Sequence, residues 1–545
     1  MREYLYLIEY GFQLRTRWRL RHIVQVPGHF LLGNLLAIRR HSVHEAFQRW
    51  AQLYGGIYVA FFGRRPQVVV SDPELVRDIA MRHFRCFHDR QRPVRPEALP
   101  GDKTLATLYS GMLWTRGELW NSTRGSLKHL FSTGALHSYV PCMNASAEEF
   151  LQSIRRSYEA GSAKQSGERA EDEKRRADAP YAAISTPSSP SKYKPLDIHE
   201  LAGRATMQIV FRAMFGVNID TSRDGRADRL NSVPNLLEAA RVMLESVTVW
   251  PQQAAMGLLY TVPRWAEGIA LRLLARAAPG QASADYARTS LNSTTGLLVE
   301  SARRGAEREG EDVRLRTTDW KWWGPGWETR NLHRHASPHA GSLPRRLALT
   351  ELRGQGCGLT DAQATSHCST FISAGYETTA NAVAFAVHLL SKHPQHEARL
   401  LAEIDQAVGK AEPDAHHLPH CPFVEAVINE TLRIYPPAHA VIREARGHCT
   451  QTCEIGNGIL IPKGTEMHLA IYTMHHDPRL WHKPEAFRPE RFLPGEEADT
   501  RHPNAFMPFG IGPRMCIGWR FAMQELMLIL IRLYQHYTFE LIPAQ

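Results

Sequence analysis

The chain has 545 residues, 43% of them hydrophobic, and carries a formal net charge of +10 with a pI near 9.2. That hydrophobicity excludes a disordered or fibrous chain, and the length allows a large core. The basic balance favours acidic partners. No zinc-finger spacing or aromatic-rich basic module is present, so nucleic acid is set aside in favour of an anionic lipid surface or an acidic protein.

In chain order, residues 3–13 are apolar and aromatic but carry Glu3 and Glu9, and they fall short of the roughly 20 apolar residues of a membrane span. The basic run Arg15–His22 comes next, so residues 1–25 read as a short interfacial or anchor-like segment. A Pro-Gly hinge spans residues 26–34. Residues 57–62 and 67–71, separated by Gly63-Arg-Arg-Pro66, predict a β-hairpin. Most of the remaining chain reads helical, apart from two stretches. Residues 159–195 are rich in Ser, Ala, Glu, Lys and Arg and predict a disordered linker. Residues 302–348 hold four Trp without periodicity and read as an atypical insertion. Thr360 and Gln363 form a capping-box pattern that opens a helix of about eight turns, ending before Pro394. A second helix is predicted over Phe423–Tyr435, stopped by Pro436 and Pro437. A third runs from near Cys516 to about Tyr537. Its Leu526–Ile531 stretch is apolar on every face, which implies burial. The eight cysteines show no close framework, which argues against a disulfide scaffold; Cys449 and Cys453 are read as structural.

The richest chemistry lies in Phe509-Gly-Ile-Gly-Pro-Arg-Met-Cys516-Ile-Gly518. Gly510, Gly512 and Gly518 let irregular backbone pass close to a flat group. Backbone N–H groups and the N-terminus of the next helix can support a Cys516 thiolate. Arg514 is placed for a carboxylate, and Phe509 can cover the sulfur. In the long helix, Ala374-Gly-Tyr-Glu-Thr-Thr379 sets an acid, Glu377, beside an alcohol, Thr378, where a glycine can loosen the helix. Glu430 and Arg433 share a helical face.

At these residues the sequence resembles the cytochrome P-450 family, with its signature Phe-x-x-Gly-x-Arg-x-Cys-x-Gly. The acid-alcohol motif, Glu430-x-x-Arg433, the Pro484 to Arg491 segment and Trp120-x-x-x-Arg124 fit the same pattern. The resemblance covers most of the chain and is nearest to the membrane-bound eukaryotic branch. It implies a mainly α fold with a small β region, so that residues 26–545 form one haem-thiolate oxygenase domain. It also implies haem b held by Cys516, with Trp120, Arg124, Arg443, Phe509, Gly512, Arg514 and Gly518 around it. Glu377 and Thr378 would guide protons to bound dioxygen. Glu430, Arg433 and Arg491 would form a buried structural network. Electrons would come from NADPH through a flavoprotein reductase, the substrate would be small and lipophilic, and the site of action the cytosolic face of the endoplasmic reticulum membrane. The family continues for some tens of residues beyond the point where this chain stops, near 539–545, so the resemblance implies that the β-hairpin normally formed there is missing. Two alternatives are a haem-thiolate isomerase or dehydratase acting on a peroxide, and a haem-binding protein without turnover. Substrate-facing segments are expected at 92–113, 374–378 and 437–442, where His439 is polar and reads better as structural.

Overall fold

The computed structural model describes residues 14–29, 32–90, 110–177, 196–219, 295–296, 298–300, 302–304, 342–348, 351–352, 357–446 and 452–541. Eight strands are described: β1 (Ile57–Phe62), β2 (Arg65–Val70), β3 (Glu351–Leu352), β4 (Cys357–Gly358), β5 (Val441–Glu444), β6 (Thr452–Ile455), β7 (Ile459–Pro462) and β8 (Glu466–Leu469). The principal sheet runs β1-β2-β8-β5, with β2 and β8 parallel and the outer pairs antiparallel. The predicted hairpin is present, but its turn is tighter than expected. Phe62 pairs with Arg65, and Gly63 turns the chain at φ +58°, a left-handed backbone that glycine adopts without a Cβ penalty.

The eight main helices are α1 (Val43–Tyr54), α2 (Gly117–Leu127), α3 (Thr133–Ala177), α4 (Ile198–Val210), α5 (Asp361–Lys392), α6 (Pro394–Ala407), α7 (Pro422–Ile434) and α8 (Trp519–His536). The mainly helical expectation holds. Ser42 and Glu45 close a capping box on α1, and Thr360 and Gln363 close the predicted one on α5, each satisfying N–H groups that no helical carbonyl can reach. The centre of the fold is α5, packed against α4, α6, α7 and α8. The Leu526–Ile531 stretch of α8 is buried throughout, and each such side chain contributes about 1.5–3 kcal/mol.

The two unusual stretches differ from expectation where they are described. Helix α3 continues through residues 159–177, because Ala, Glu, Lys and Arg are strong helix formers even where composition resembles a linker; 178–195 lie outside the described residues. At the far end of the 302–348 stretch, residues Leu343–Ala348 are helical, and Leu343 and Leu347 are fully buried in the main core. Its Trp-rich middle lies outside the described residues, as do residues 1–13. Among the described residues no helix is long and apolar enough to cross a membrane.

Candidate functional site

The loop before α8 is shaped by glycine. Gly510 and Gly512 adopt φ +75° and +76°. A Cβ on Gly512 would stand 2.2 Å from the Ala80 carbonyl oxygen, so any side chain there forces the loop away from the segment Asp78–Arg82. The Cys516 N–H donates to the Phe509 carbonyl at 2.9 Å, which closes the loop and sets the cysteine at its end. Gly518 precedes α8, with room for only a strained Cβ 3.3 Å from the Phe131 ring. Among the described free cysteines, Cys368, Cys421 and Cys453 are buried, whereas Cys516 is exposed. Desolvation raises its thiol pKa, opposed by a backbone hydrogen bond at Gly518 and by the charges of Arg124 and Arg90.

Arginines converge on this cysteine. Arg124, on α2, donates to the Met515 carbonyl at 2.9 Å. Arg514 is buried and donates to the carbonyls of His88 at 2.8 Å and Thr115 at 2.7 Å. Its guanidinium lies 4.1 Å from the centre of the buried Trp120 ring, a cation–π contact. Arg443, on β5, is almost wholly buried, and its Nε has no hydrogen-bond partner. Arg90 is likewise left with an unpartnered Nε. Desolvation, reinforced by neighbouring guanidinium groups, lowers Arg90 to about 10 and Arg514 to about 9, and holds Arg443 well below its ordinary value. The nearest described counter-charge is Asp89, 3.8 Å from Arg514 and already bonded to His88 at 2.7 Å. Glu444 is taken by Arg116 at 2.8 Å.

Buried and half-buried cations in excess, two with orphaned donors, call for an anionic group that the described residues do not provide. A haem fits: its two carboxylates match the arginines, and its iron matches an exposed thiol at the end of a loop kept slim by glycine. Arg90, Arg124, Arg443 and Arg514 would hold the carboxylates and Cys516 the iron. Arg90 is absent from the sequence expectation. It sits beside Asp89 in a loop without motif spacing, and only its approach to Arg124 and Cys516 marks it.

The acid-alcohol pair lies midway along α5. Ala374 and Thr378 are exposed there although the helix is buried on other faces, so this face of α5 is open to a ligand. Thr378 donates to the Ala374 carbonyl at 2.7 Å, and Thr379 to that of Gly375 at 3.1 Å. Glu377 is half-buried. The helix is unbroken here, so the glycine's visible role is packing: a Cβ on Gly375 would meet Val210 of α4 at 2.8 Å. Thr206 of α4 donates to the Tyr376 carbonyl at 2.9 Å, a support that no motif announced. The link to the cysteine loop runs through Phe131, stacked 6.0 Å from Phe371, one turn before Ala374.

Beneath the site, Arg433 donates twice to Glu430, at 2.7 and 2.8 Å, and Arg491 once at 3.1 Å, all fully buried. Of the three substrate-facing segments, 92–109 lie outside the described residues. Gly111 packs flush on Ser366 and Thr370 of α5. His439 lies 6.1 Å from the His44 ring, its carbonyl accepting from Tyr472. Burial, with the charges of His44 and His468, lowers it to about 4, which favours its structural reading.

The cytochrome P450 family model matches residues 24–256 and 334–545. This chain belongs to the cytochrome P450 family. Cytochrome P450 3A9 of Rattus norvegicus is 25% identical over 512 residues, covering 93% of this chain and 84% of that protein. Cytochrome P450 3A5 of Homo sapiens is 25% identical over 513 residues, with 94% and 84% covered. Thromboxane-A synthase of Rattus norvegicus is 26% identical over 524 residues, with 94% and 85% covered. The break between 256 and 334 takes in most of the Trp-rich stretch, while the helix Leu343–Ala348 lies inside the match. Cytochrome P450 proteins are haem-thiolate proteins, and the donor set around Cys516 fits that cofactor.

Proposed function

We propose that this chain is a haem-dependent monooxygenase that inserts one atom of dioxygen into a small lipophilic substrate. Electrons reach it from NADPH through a flavoprotein reductase at a membrane surface, most simply the cytosolic face of the endoplasmic reticulum. The observation that carries the reading is the surplus of buried guanidinium groups around an exposed Cys516. When bound, haem supplies the redox-active iron at which dioxygen is reduced. The chain's own residues do the rest. Cys516 holds the iron as its thiolate, favoured by the Gly518 backbone and by the Arg90 and Arg124 charges. Arg124, Arg443 and Arg514 orient the group by its carboxylates, and Trp120 stacks beneath Arg514. The Thr378 hydroxyl, anchored on the Ala374 carbonyl, and the half-buried Glu377 carboxyl lie together on α5, an alcohol and an acid suited to pass protons to bound dioxygen.

The test is spectral and kinetic. The reduced, carbon-monoxide-bound protein is expected to show a thiolate-type Soret band that Cys516→Ala abolishes; a retained band would remove Cys516 from the role. With reductase present, Thr378→Ala is expected to consume NADPH without matching product, and unchanged coupling would take the proton role from Thr378. A synthase stands among the relatives, so the rearrangement reading needs its own arm. Product formed from a hydroperoxide without reductant, and none with NADPH and reductase, would reverse the ranking.

A further inference from the structure

We infer that Asp78, which lies outside every motif of the chain, is a positioning residue for the cysteine loop: it fixes the backbone turn against which that loop closes, and so keeps Cys516 a thiolate. The inference rests on Cys516 as the haem ligand and adds a residue that acts on it from a distant part of the chain.

The loop is supported at two points by one short segment, residues 78–88. At one point Arg514 donates to the His88 carbonyl at 2.8 Å. At the other, Gly512 lies so near the Ala80 carbonyl that a Cβ would stand 2.2 Å from its oxygen and 3.4 Å from Met81 Cγ. Ile511 packs on the core to which Ile79, Ala80 and Phe87 belong. The segment is not a regular helix. Asp78–Arg82 form a π-helical turn, closed by the His83 N–H on the Asp78 carbonyl at 2.8 Å. Such turns are rare, come singly and recur at functional sites.

Asp78 braces this turn from within. It is buried, and its Oδ2 accepts the Gly456 N–H at 2.7 Å, a charge-assisted bond. Arg82 Nη1 lies 3.6 Å from one carboxylate oxygen and His83 Nε2 3.6 Å from the other, so the charge also closes back on its own turn. Gly456 belongs to the turn between β6 and β7, at φ +53°, where a Cβ would stand 2.5 Å from Leu75 Cδ2. Ile455 and Ile461 of the hairpin share the core of Ile79 and Ala80. The hairpin is thus seated on one side of the π turn and the cysteine loop on the other.

Contacts therefore run from Gly456 to Asp78, along the turn to Ala80, and across to Gly512. The loop ends at Cys516, whose N–H donates to the Phe509 carbonyl at 2.9 Å. Without the carboxylate, the Gly456 N–H loses its acceptor and the turn loses its brace. Gly512 is then free to move, the loop opens, and the backbone support that a thiolate needs weakens. The sulfur takes up a proton from solvent; no electron moves.

The experiment follows the reduced, carbon-monoxide-bound, full-length protein in guanidinium chloride well below its unfolding midpoint. It times the conversion of the thiolate-type Soret band to the thiol type. Asp78→Ala is expected to convert at least about tenfold faster than the parent, the worth of a hydrogen bond to a charged group. Asp78→Asn, whose side-chain carbonyl can still accept from Gly456, is expected to fall between the two. Gly512→Ala pushes on the same contact from the loop side with Asp78 intact, and is expected to match Asp78→Ala. Hydrogen exchange of the haem-loaded protein gives a second readout: the Cys516 amide is expected to exchange faster in Asp78→Ala, with α8 unchanged. A lowered unfolding midpoint with conversion and exchange at parental rates would make Asp78 scaffold only and overturn the inference. Where Asp78→Ala does not fold, parental conversion in both Asp78→Asn and Gly512→Ala would overturn it. A parent without the thiolate-type band would overturn Cys516 ligation itself, a failure visible before any variant is made.

Discussion

Two buried arginine clusters lie within this fold, and they meet the cost of burial in opposite ways. Around Glu430, charge is balanced inside the chain. The carboxylate accepts from Arg433, from Arg491 and from the Arg488 N–H. The remaining guanidinium donors go to the carbonyls of His475, Ala486 and His482 and to Glu497. Around Cys516, Arg90, Arg124, Arg443 and Arg514 gather with Asp89 only 3.8 Å from Arg514, and two donors, on Arg90 and Arg443, are left orphaned. A cluster that closes on itself is part of the scaffold. A cluster with charge to spare among the described residues fits an anionic ligand.

That contrast predicts effects of opposite sign. Glu430→Gln keeps the shape but removes the charge on which two fully buried guanidinium groups depend. It is expected to cost about 3–5 kcal/mol, a large part of the total stability of an ordinary domain. The readout is the denaturant midpoint, or loss of soluble protein; an unchanged midpoint would show that the network does not bear on the scaffold. Arg443→Met, at the other cluster, removes an orphaned donor and a charge repelled by Arg90 and Arg514. The haem-free chain is expected to be as stable as the parent or more so, while haem retention falls at least about tenfold, or about 1.4 kcal/mol. Haem transfer to an acceptor protein measures the second quantity. A haem-free variant clearly less stable than its parent would break the comparison, because Arg443 would then be scaffold.

The same contrast explains what the sequence disclosed. The cysteine loop, the α5 cap and the Glu430–Arg433 pair rest on local chemistry: glycines at fixed offsets, a Thr three residues before a Gln, two charges one turn apart. They were legible because their partners are near in sequence or fixed by a motif. Arg90, Thr206 and the contact of Gly375 with Val210 depend on elements far apart in the chain, and no spacing announces them. Glycine can loosen a helix, but at Gly375 the packed neighbour Val210 decides its role. The linker expected over 159–195 is overturned only as far as Ala177, for a related reason. Its composition suits both solvation and helix, and a preceding long helix is enough to extend it to Ala177.

A third buried base, on α5, tolerates burial differently again and gives the smallest effect per unit of change. His367 is fully buried, and neither ring nitrogen has a hydrogen-bond partner. Neither a carboxylate nor an outside ligand is implied; the ring is accommodated by staying neutral. Desolvation lowers its pKa to about 3, against about 6.5 in the unfolded chain. Between those values the unfolded state binds one more proton than the folded state. Stability is therefore complete above about pH 6.5 and falls as pH falls, by about 1.4 kcal/mol per unit from this group alone, until about pH 3. His367→Leu removes the linkage without adding a charge. Denaturation curves of parent and variant between pH 6.5 and 5 should diverge by that slope, the parent losing stability faster on acidification. Contributions from His439 and His475, present in both proteins, cancel in the difference. Parallel curves would mean that His367 binds its proton as readily in the folded as in the unfolded chain, so that burial does not hold the ring neutral.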